Sequence, residues 1–216
     1  RMTQVALIDY GSGNLHSAER ALREAAALAG TSHEIIVTDS PETMLVATRF
    51  VLPGVGHFAD CAAGLRAREG VVDALNEAVL KEGKPFFGIC VGMQLMATAG
   101  LEDGYTAGLG WIKGTVDIIE PGEGFRIPHM GWNGLTFTRL TPHPVLADLG
   151  EDPHVYFTHS YAMKPDNPAD VVATADYGVP IVAAVARRNM FGTQFHPEKS
   201  QTTGLKILSN FLQWAP

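Results

Sequence analysis

Lys84-Pro-Phe-Phe-Gly-Ile-Cys-Val-Gly-Met-Gln94 runs apolar up to a Gly-x-Cys-x-Gly corner at residues 88–92, beyond which a helix is predicted from about Val91. A short apolar run of this kind reads as a strand buried on both faces. Val5–Asp9, Glu34–Thr38 and Arg49–Leu52 read as further strands. Between the first two, Leu15, Ala18, Leu22, Ala25 and Ala29 recur at helical spacing over Asn14–Ala29, and Gly30 supplies the stop. Glu69–Glu82 repeats the pattern with Val72, Leu75 and Val79 on one face and Gly83 as its end. Apolar strands alternating with helices predict an α/β fold: a central, mostly parallel sheet with helices on both faces.

The pattern changes after Thr115. Short runs at Thr115–Ile119, Gly134–Phe137, Val155–Ala162, Val171–Thr174, Ile181–Val185 and Met190–Thr193 alternate with loops rich in Pro, Gly and His. They predict an antiparallel or mixed section. Thr203–Trp214 closes the chain as a helix with Leu205, Leu208 and Leu212 facing inward. There is no repeat, low-complexity tract or linker, so residues 2–216 read as a single domain.

Composition narrows the function. The 216 residues are 46% hydrophobic and 18% charged, enough apolar material for a sizeable core and too little charge for intrinsic disorder. A net charge of −7 without a basic stripe argues against nucleic acid and anionic lipid as partners. No run reaches the ~18 apolar residues that a membrane-spanning helix needs. The first residues lead straight into a strand rather than a signal region, which argues against secretion, and Arg1 ahead of Met2 reads as an added residue. Two cysteines, Cys61 and Cys90, make neither a disulfide framework nor a zinc site. A reduced, cytoplasmic protein follows. No H-E-x-x-H occurs, so no metal is expected; His33, His143 and His154 sit in polar or turn contexts and read as surface residues.

The chemistry concentrates at Cys90. Gly88-Ile-Cys-Val-Gly92 has the form of a nucleophile elbow with Cys in place of Ser: a sharp strand-to-helix turn that needs glycine on either side of a strained nucleophile. A helix beginning beneath it would favour the thiolate and offer free N–H groups. Cys61 lacks such surroundings and reads as structural. A thiol needs a base, and the base an orienting group. Gln194-Phe-His-Pro-Glu198 provides both, because His196 and Glu198 share a side in an extended segment and Pro197 biases His196 toward that conformation. Pro53-Gly-Val-Gly56 follows a strand, where a peptide N–H could join that of Val91 in an oxyanion hole.

Taken together, the chain resembles the class I (triad-type) glutamine amidotransferases. Within them it is similar to the branch formed by glutaminase subunits of imidazole glycerol phosphate synthases. The carriers are Asp9-Tyr-Gly-Ser-Gly-Asn-Leu15, Leu52-Pro-Gly-Val-Gly56, Gly88-Ile-Cys-Val-Gly-Met-Gln94, Pro128-His-Met-Gly-Trp-Asn133, His159-Ser-Tyr161 and Gln194-Phe-His-Pro-Glu-Lys-Ser200. They span essentially the whole chain in the family's order.

The resemblance implies a flavodoxin-like amidotransferase fold and a Cys90, His196, Glu198 triad that hydrolyses glutamine through a γ-glutamyl thioester. It implies an oxyanion hole from Val91 and the Gly54, Val55, Gly56 strand, and a glutamine pocket at Gln94, His159, Ser160 and Tyr161. Asn14, Trp132, Tyr156 and Lys199 match positions at or near the contact with a (β/α)8-barrel cyclase subunit. That partner would take the ammonia in histidine biosynthesis, as one half of a heterodimer and without a cofactor on this chain. Consistent with a partner-borne phosphate site, Gly11-Ser-Gly-Asn-Leu-His16 puts His16 where a phosphate-binding loop has its third glycine. Two alternatives stay open from the residues alone: a stand-alone cysteine hydrolase such as a γ-glutamyl peptidase, and a non-catalytic flavodoxin-like module with an inert Cys90.

Overall fold

Val5, Ala6, Leu7 and Ile8 have no exposed surface, nor do Phe50, Val51 and Leu52, nor Phe86 and Phe87. Strands so buried on both faces belong in the middle of a covered sheet. In the computed structural model, which describes residues 2–216 and so leaves Arg1 outside, they form its centre. The strands are β1 (Thr3–Ile8), β2 (His33–Thr38), β3 (Arg49–Leu52) and β4 (Phe86–Ile89) in the first half. The strands that follow are β5 (Ala97–Gly100), β6 (Thr106–Ala107), β7 (Ile112–Ile118), β8 (His129–Gly134), β9 (Thr136–Phe137), β10 (His154–His159), β11 (Tyr161–Pro165), β12 (Val171–Asp176), β13 (Pro180–Arg187) and β14 (Met190–Thr193). The main sheet has eight strands in the order β2-β1-β3-β4-β14-β13-β12-β9. Pairing is parallel from β2 through β14 and antiparallel from β14 to β9.

Helices α1 (Leu15–Ala29), α2 (Pro41–Val46), α3 (Phe58–Ala67), α4 (Val71–Leu75), α5 (Val91–Gln94) and α6 (Gln201–Gln213) complete the fold. They pack in two groups beside the sheet, α1 on α6, and α4 on α2 and α3. α1 starts where the Asn14 side chain accepts the Ser17 N–H at 3.3 Å and ends at Gly30, which has φ 65°. Among the described residues no helix is long and apolar enough to cross a membrane.

Four expectations need correction. The helix over 69–82 is α4 followed by a wider, π-helical turn at Asn76–Lys81, where the Asn189 amide takes the Val79 carbonyl at 2.8 Å. The run Val155–Ala162 is two strands broken at Ser160: β10 pairs with β8, while β11 pairs with β7 in a four-stranded sheet. Gly134–Phe137 is likewise divided, because Leu135 carries the chain from β8 to β9. His143 is buried, not at the surface. Its ring centroid lies 5.0 Å from Phe191 and 4.9 Å from Trp214, and its Nδ1 accepts the Val145 N–H at 3.1 Å.

The order β2-β1-β3 places a topological switch beside β1, where chain segments leave adjacent strands in opposite directions. Ligands bind at the carboxyl ends of strands flanking such a point. The segments that leave β1, β3, β4 and β14 there are Tyr10–Gly13, Pro53–Gly56, Cys90 and Gln194–His196.

Candidate active site

Cys90 occupies the corner between β4 and α5 with φ 56° and ψ −114°, a region that non-glycine residues rarely adopt. Its own N–H donates to Thr193 O at 2.8 Å, so β14 holds the strain in place. The flanking glycines are required sterically. A Cβ on Gly92 would stand 1.9 Å from Leu52 O, and one on Gly88 would stand 2.7 Å from Gly92 O. The helix beneath the corner is only four residues long, so whatever its dipole contributes is the field of a single turn.

His196 is almost wholly buried at the end of the segment after β14. Its backbone is extended, as the adjoining proline predicts, but Pro197–Lys199 is a 3₁₀ turn rather than the extended segment anticipated. The turn, not strand alternation, brings Glu198 back to His196, with Nδ1 2.7 Å from Oε1. Both side chains are nearly inaccessible. The loop is tied to β10 by His196 N–H to Tyr156 O at 3.0 Å and by Ser200, whose hydroxyl donates to His196 O at 2.6 Å and accepts the Tyr156 N–H at 3.0 Å. His196 Nε2 is buried without a hydrogen bond of good geometry. Burial opposes charge on this imidazole, yet its contacts with the Cys90 sulfur and the Glu198 carboxylate outweigh that and push its pKa up to about 10. A thiol, an imidazole and a carboxylate in series are what nucleophilic attack on an acyl carbon requires.

The strand expected to supply the oxyanion hole is turned the other way. Val91 N–H donates to Gly54 O at 3.1 Å, and Val55 N–H donates to Ser12 Oγ at 3.2 Å. Neither donor therefore faces a ligand in this conformation. Val55 and Gly56 nonetheless line a cavity of about 580 Å³ with Cys90, Val91, Gln94, His159, Ser160, Tyr161 and His196. The break at Ser160 is what carries His159, Ser160 and Tyr161 past the cavity wall.

Three further residues of this site were given no role by the sequence reading. Glu102 lines the cavity, one of its oxygens accepting the Phe58 N–H at 3.2 Å. Thr158 lines it from β10. Gln194, fully buried, hydrogen-bonds both Gln94 and Cys90. Its place two positions before His196 put it in the quoted motif, but its burial against Cys90 and Gln94 is visible only in the structure.

From the cavity wall inward, two neutral histidines form a directed hydrogen-bonded chain, their rings edge-on at 63°. His159 Nδ1–H donates to Tyr161 O at 2.9 Å, and His129 Nδ1–H donates to His159 Nε2 at 2.9 Å. Burial lowers the pKa of His129 to about 4 and of His159 to about 3, so neither carries charge near neutrality. Of the expected partner-contact residues, Asn14 and Lys199 lie at the cavity wall. Trp132 and Tyr156 face each other across the β8–β10 pair, ring centroids 6.1 Å apart, and Trp132 is 49% exposed. Cys61 is buried and unbridged, its thiol donating to Val55 O at 3.2 Å.

A backbone-strained thiol backed by His-Glu at the carboxyl edge of a parallel sheet defines a class of acyl-transfer enzyme, and residues 6–214 match the family "Glutamine amidotransferase class-I". The chain belongs to that family. More narrowly, it is 55% identical over 216 residues to the imidazole glycerol phosphate synthase subunit HisH of Caulobacter vibrioides, covering all of both chains. It is 53% identical to the protein of the same name from Rhodospirillum rubrum, covering 99% of this chain and all of that one. A crystal structure of a glutamine amidotransferase, 18% identical, superposes over 97% of each chain with a TM-score of 0.69, a likeness of fold.

Proposed function

We infer that this chain is the glutaminase subunit of an imidazole glycerol phosphate synthase, working as one domain over residues 2–216. The observation that carries the reading is Cys90 held at φ 56° in the same cavity as His196, whose other nitrogen meets Glu198 at 2.7 Å. The full-length likeness to the two relatives named above supports the narrower assignment.

Chemistry starts with the Cys90 proton passing to His196 Nε2. The thiolate attacks the side-chain carbonyl carbon of glutamine, and the tetrahedral oxyanion needs the Val91 N–H together with an N–H from Gly54–Gly56. Each such donor contributes roughly 3 kcal/mol. His196, held by Glu198, protonates the departing ammonia and leaves a γ-glutamyl thioester. It then takes a proton from water, whose attack releases glutamate and regenerates Cys90. Glu102 is the carboxylate on the cavity wall suited to the α-ammonium of glutamine. Gln94, His159, Ser160 and Tyr161 shape the rest of the pocket.

Free ammonia is protonated in neutral water, so its acceptor must be reached by a dry path. The partner proposed is a (β/α)8-barrel cyclase, bound as a heterodimer over the face where Met130 and Trp132 stand 61% and 49% exposed, with Tyr156 paired to Trp132 and with Asn14 and Lys199 lining the cavity. The two unbridged cysteines fit a reducing cytoplasm. Glutamine-dependent turnover of the chain, alone and mixed with such a cyclase, tests the assignment. Turnover that rises with the cyclase and vanishes in Cys90→Ser is expected. Full turnover without any partner would point instead to a stand-alone hydrolase.

A further inference from the structure

We propose that Gln194 is a further catalytic residue, whose side-chain amide donates a hydrogen bond to the Cys90 sulfur and favours its thiolate form; this rests on Cys90 being the nucleophile. Gln194 follows β14 with no exposed surface, its backbone N–H fixed to Ala183 O at 2.8 Å. Its Nε2 lies 3.6 Å from Cys90 Sγ, and its Oε1 lies 3.0 Å from Gln94 Nε2.

The orientation of both amides follows from one carbonyl. Tyr161 O can only accept, so the Gln94 atom 3.1 Å from it is the nitrogen. That nitrogen's second hydrogen points at Gln194, whose facing atom must then be oxygen. The Gln194 NH₂ is left turned toward sulfur. A flipped Gln194 would set its nitrogen against the Gln94 nitrogen and its oxygen against the thiolate, losing both contacts. The His159 imidazole also donates to this carbonyl, with Nδ1–H to Tyr161 O at 2.9 Å.

A buried N–H donor gains more from an anionic than from a neutral acceptor. As the Cys90 proton moves to His196 Nε2, its bonding pair stays on sulfur, and the amide keeps both its hydrogens while its bond strengthens. Other groups near the sulfur do not replace it. Burial raises the pKa of Tyr10 and Cys61, keeping both uncharged, and His159 is neutral. His196 supplies the charge, Glu198 acts through His196, and Glu102 shares the cavity. Gln194 is the neutral donor that completes the sulfur's surroundings.

The test is the pH profile of alkylation of the full chain by iodoacetamide, with Cys90 modification followed by peptide mass spectrometry. This readout needs neither partner nor glutamine turnover. Gln194→Leu and Gln194→Met should move the acid limb to higher pH and slow alkylation about tenfold at neutral pH, the loss of one hydrogen bond to a charged acceptor. The high-pH plateau should persist. Gln194→Glu, nearly isosteric, should move the limb further, because a carboxylate would face the thiolate. Folded variants with an unmoved limb, or with a lowered plateau alone, would overturn the role of Gln194 while leaving Cys90 as nucleophile. A wild-type Cys90 no more reactive than a free thiol at any pH would instead overturn the nucleophile assignment itself.

Discussion

The Gly54 carbonyl oxygen accepts the Val91 N–H at 3.1 Å, so one peptide group fills the place where the oxyanion of a tetrahedral intermediate would sit. The same strand is held by Ser12. Its hydroxyl accepts the Val55 N–H at 3.2 Å and donates to Val55 O at 3.1 Å, while Cys61 also reaches that oxygen. In the mechanism proposed above, turnover requires this peptide to reorient.

Ser12→Ala removes both hydroxyl contacts at a partly exposed position. With each hydrogen bond contributing about 1 kcal/mol, glutaminase turnover of the chain alone should rise roughly fivefold or more. The rate in complex with the proposed cyclase should change far less, since the strand would already be released there. Steady-state assays with and without partner make the comparison; an unchanged partner-free rate would remove Ser12 from the account.

Gly92→Ala should fail structurally rather than chemically. The added methyl would meet Leu52 O at 1.9 Å on a strand without freedom to retreat. Overpacking of this severity costs about 3 kcal/mol. A denaturant midpoint well below wild type, with Cys90 alkylation slowed, is expected. A variant of native stability would show that β3 and the elbow can separate.

Substituting Glu102 should affect binding before chemistry. Glu102→Gln keeps the size and the acceptor for Phe58 N–H but removes the charge proposed to meet the substrate ammonium. KM for glutamine should rise about tenfold with a smaller change in kcat. An equal fall in kcat with KM unchanged would place Glu102 outside ground-state recognition.

Acid should weaken the fold through its buried histidines. Burial holds His129 and His143 at about 4 and His159 at about 3, whereas unfolding returns each to its ordinary value of 6.5. The unfolded chain binds more protons in that interval, so their contribution is fully present above pH 6.5 and is lost as pH falls toward 4. Urea titrations across that range should show falling stability. His143→Asn, which preserves an acceptor for the Val145 N–H, should reduce the slope by about one proton, or ~1.4 kcal/mol per pH unit.

The parallel half of the fold was legible because strands such as β1 and β4 are apolar along their buried lengths, Val5–Ile8 and Phe86–Ile89, and each adjoining helix carries its own stop at Gly30 or Gly83. The corner at Cys90 was legible because two glycines and a cysteine at fixed spacing leave few other uses. Legibility failed where neighbouring residues serve different sheets. Nothing local separates His159 from Tyr161, yet β10 and β11 pair with different partners. The union of His196 with Glu198 was foreseen, although a turn rather than an extended strand produces it. Glu102 and Gln194 act through contacts with distant residues, and the direction of the Val55 peptide depends on a hydroxyl 43 residues away in sequence. No periodicity encodes such relations.

Trapping the acyl-enzyme is the most direct test of the central claim. A glutamine analogue carrying an electrophile at the side-chain carbonyl position should form one covalent adduct, on the peptide containing Cys90 and not on that containing Cys61, and His196→Asn should slow its formation by orders of magnitude. An adduct on Cys61, or labelling of Cys90 at an undiminished rate without His196, would contradict the triad.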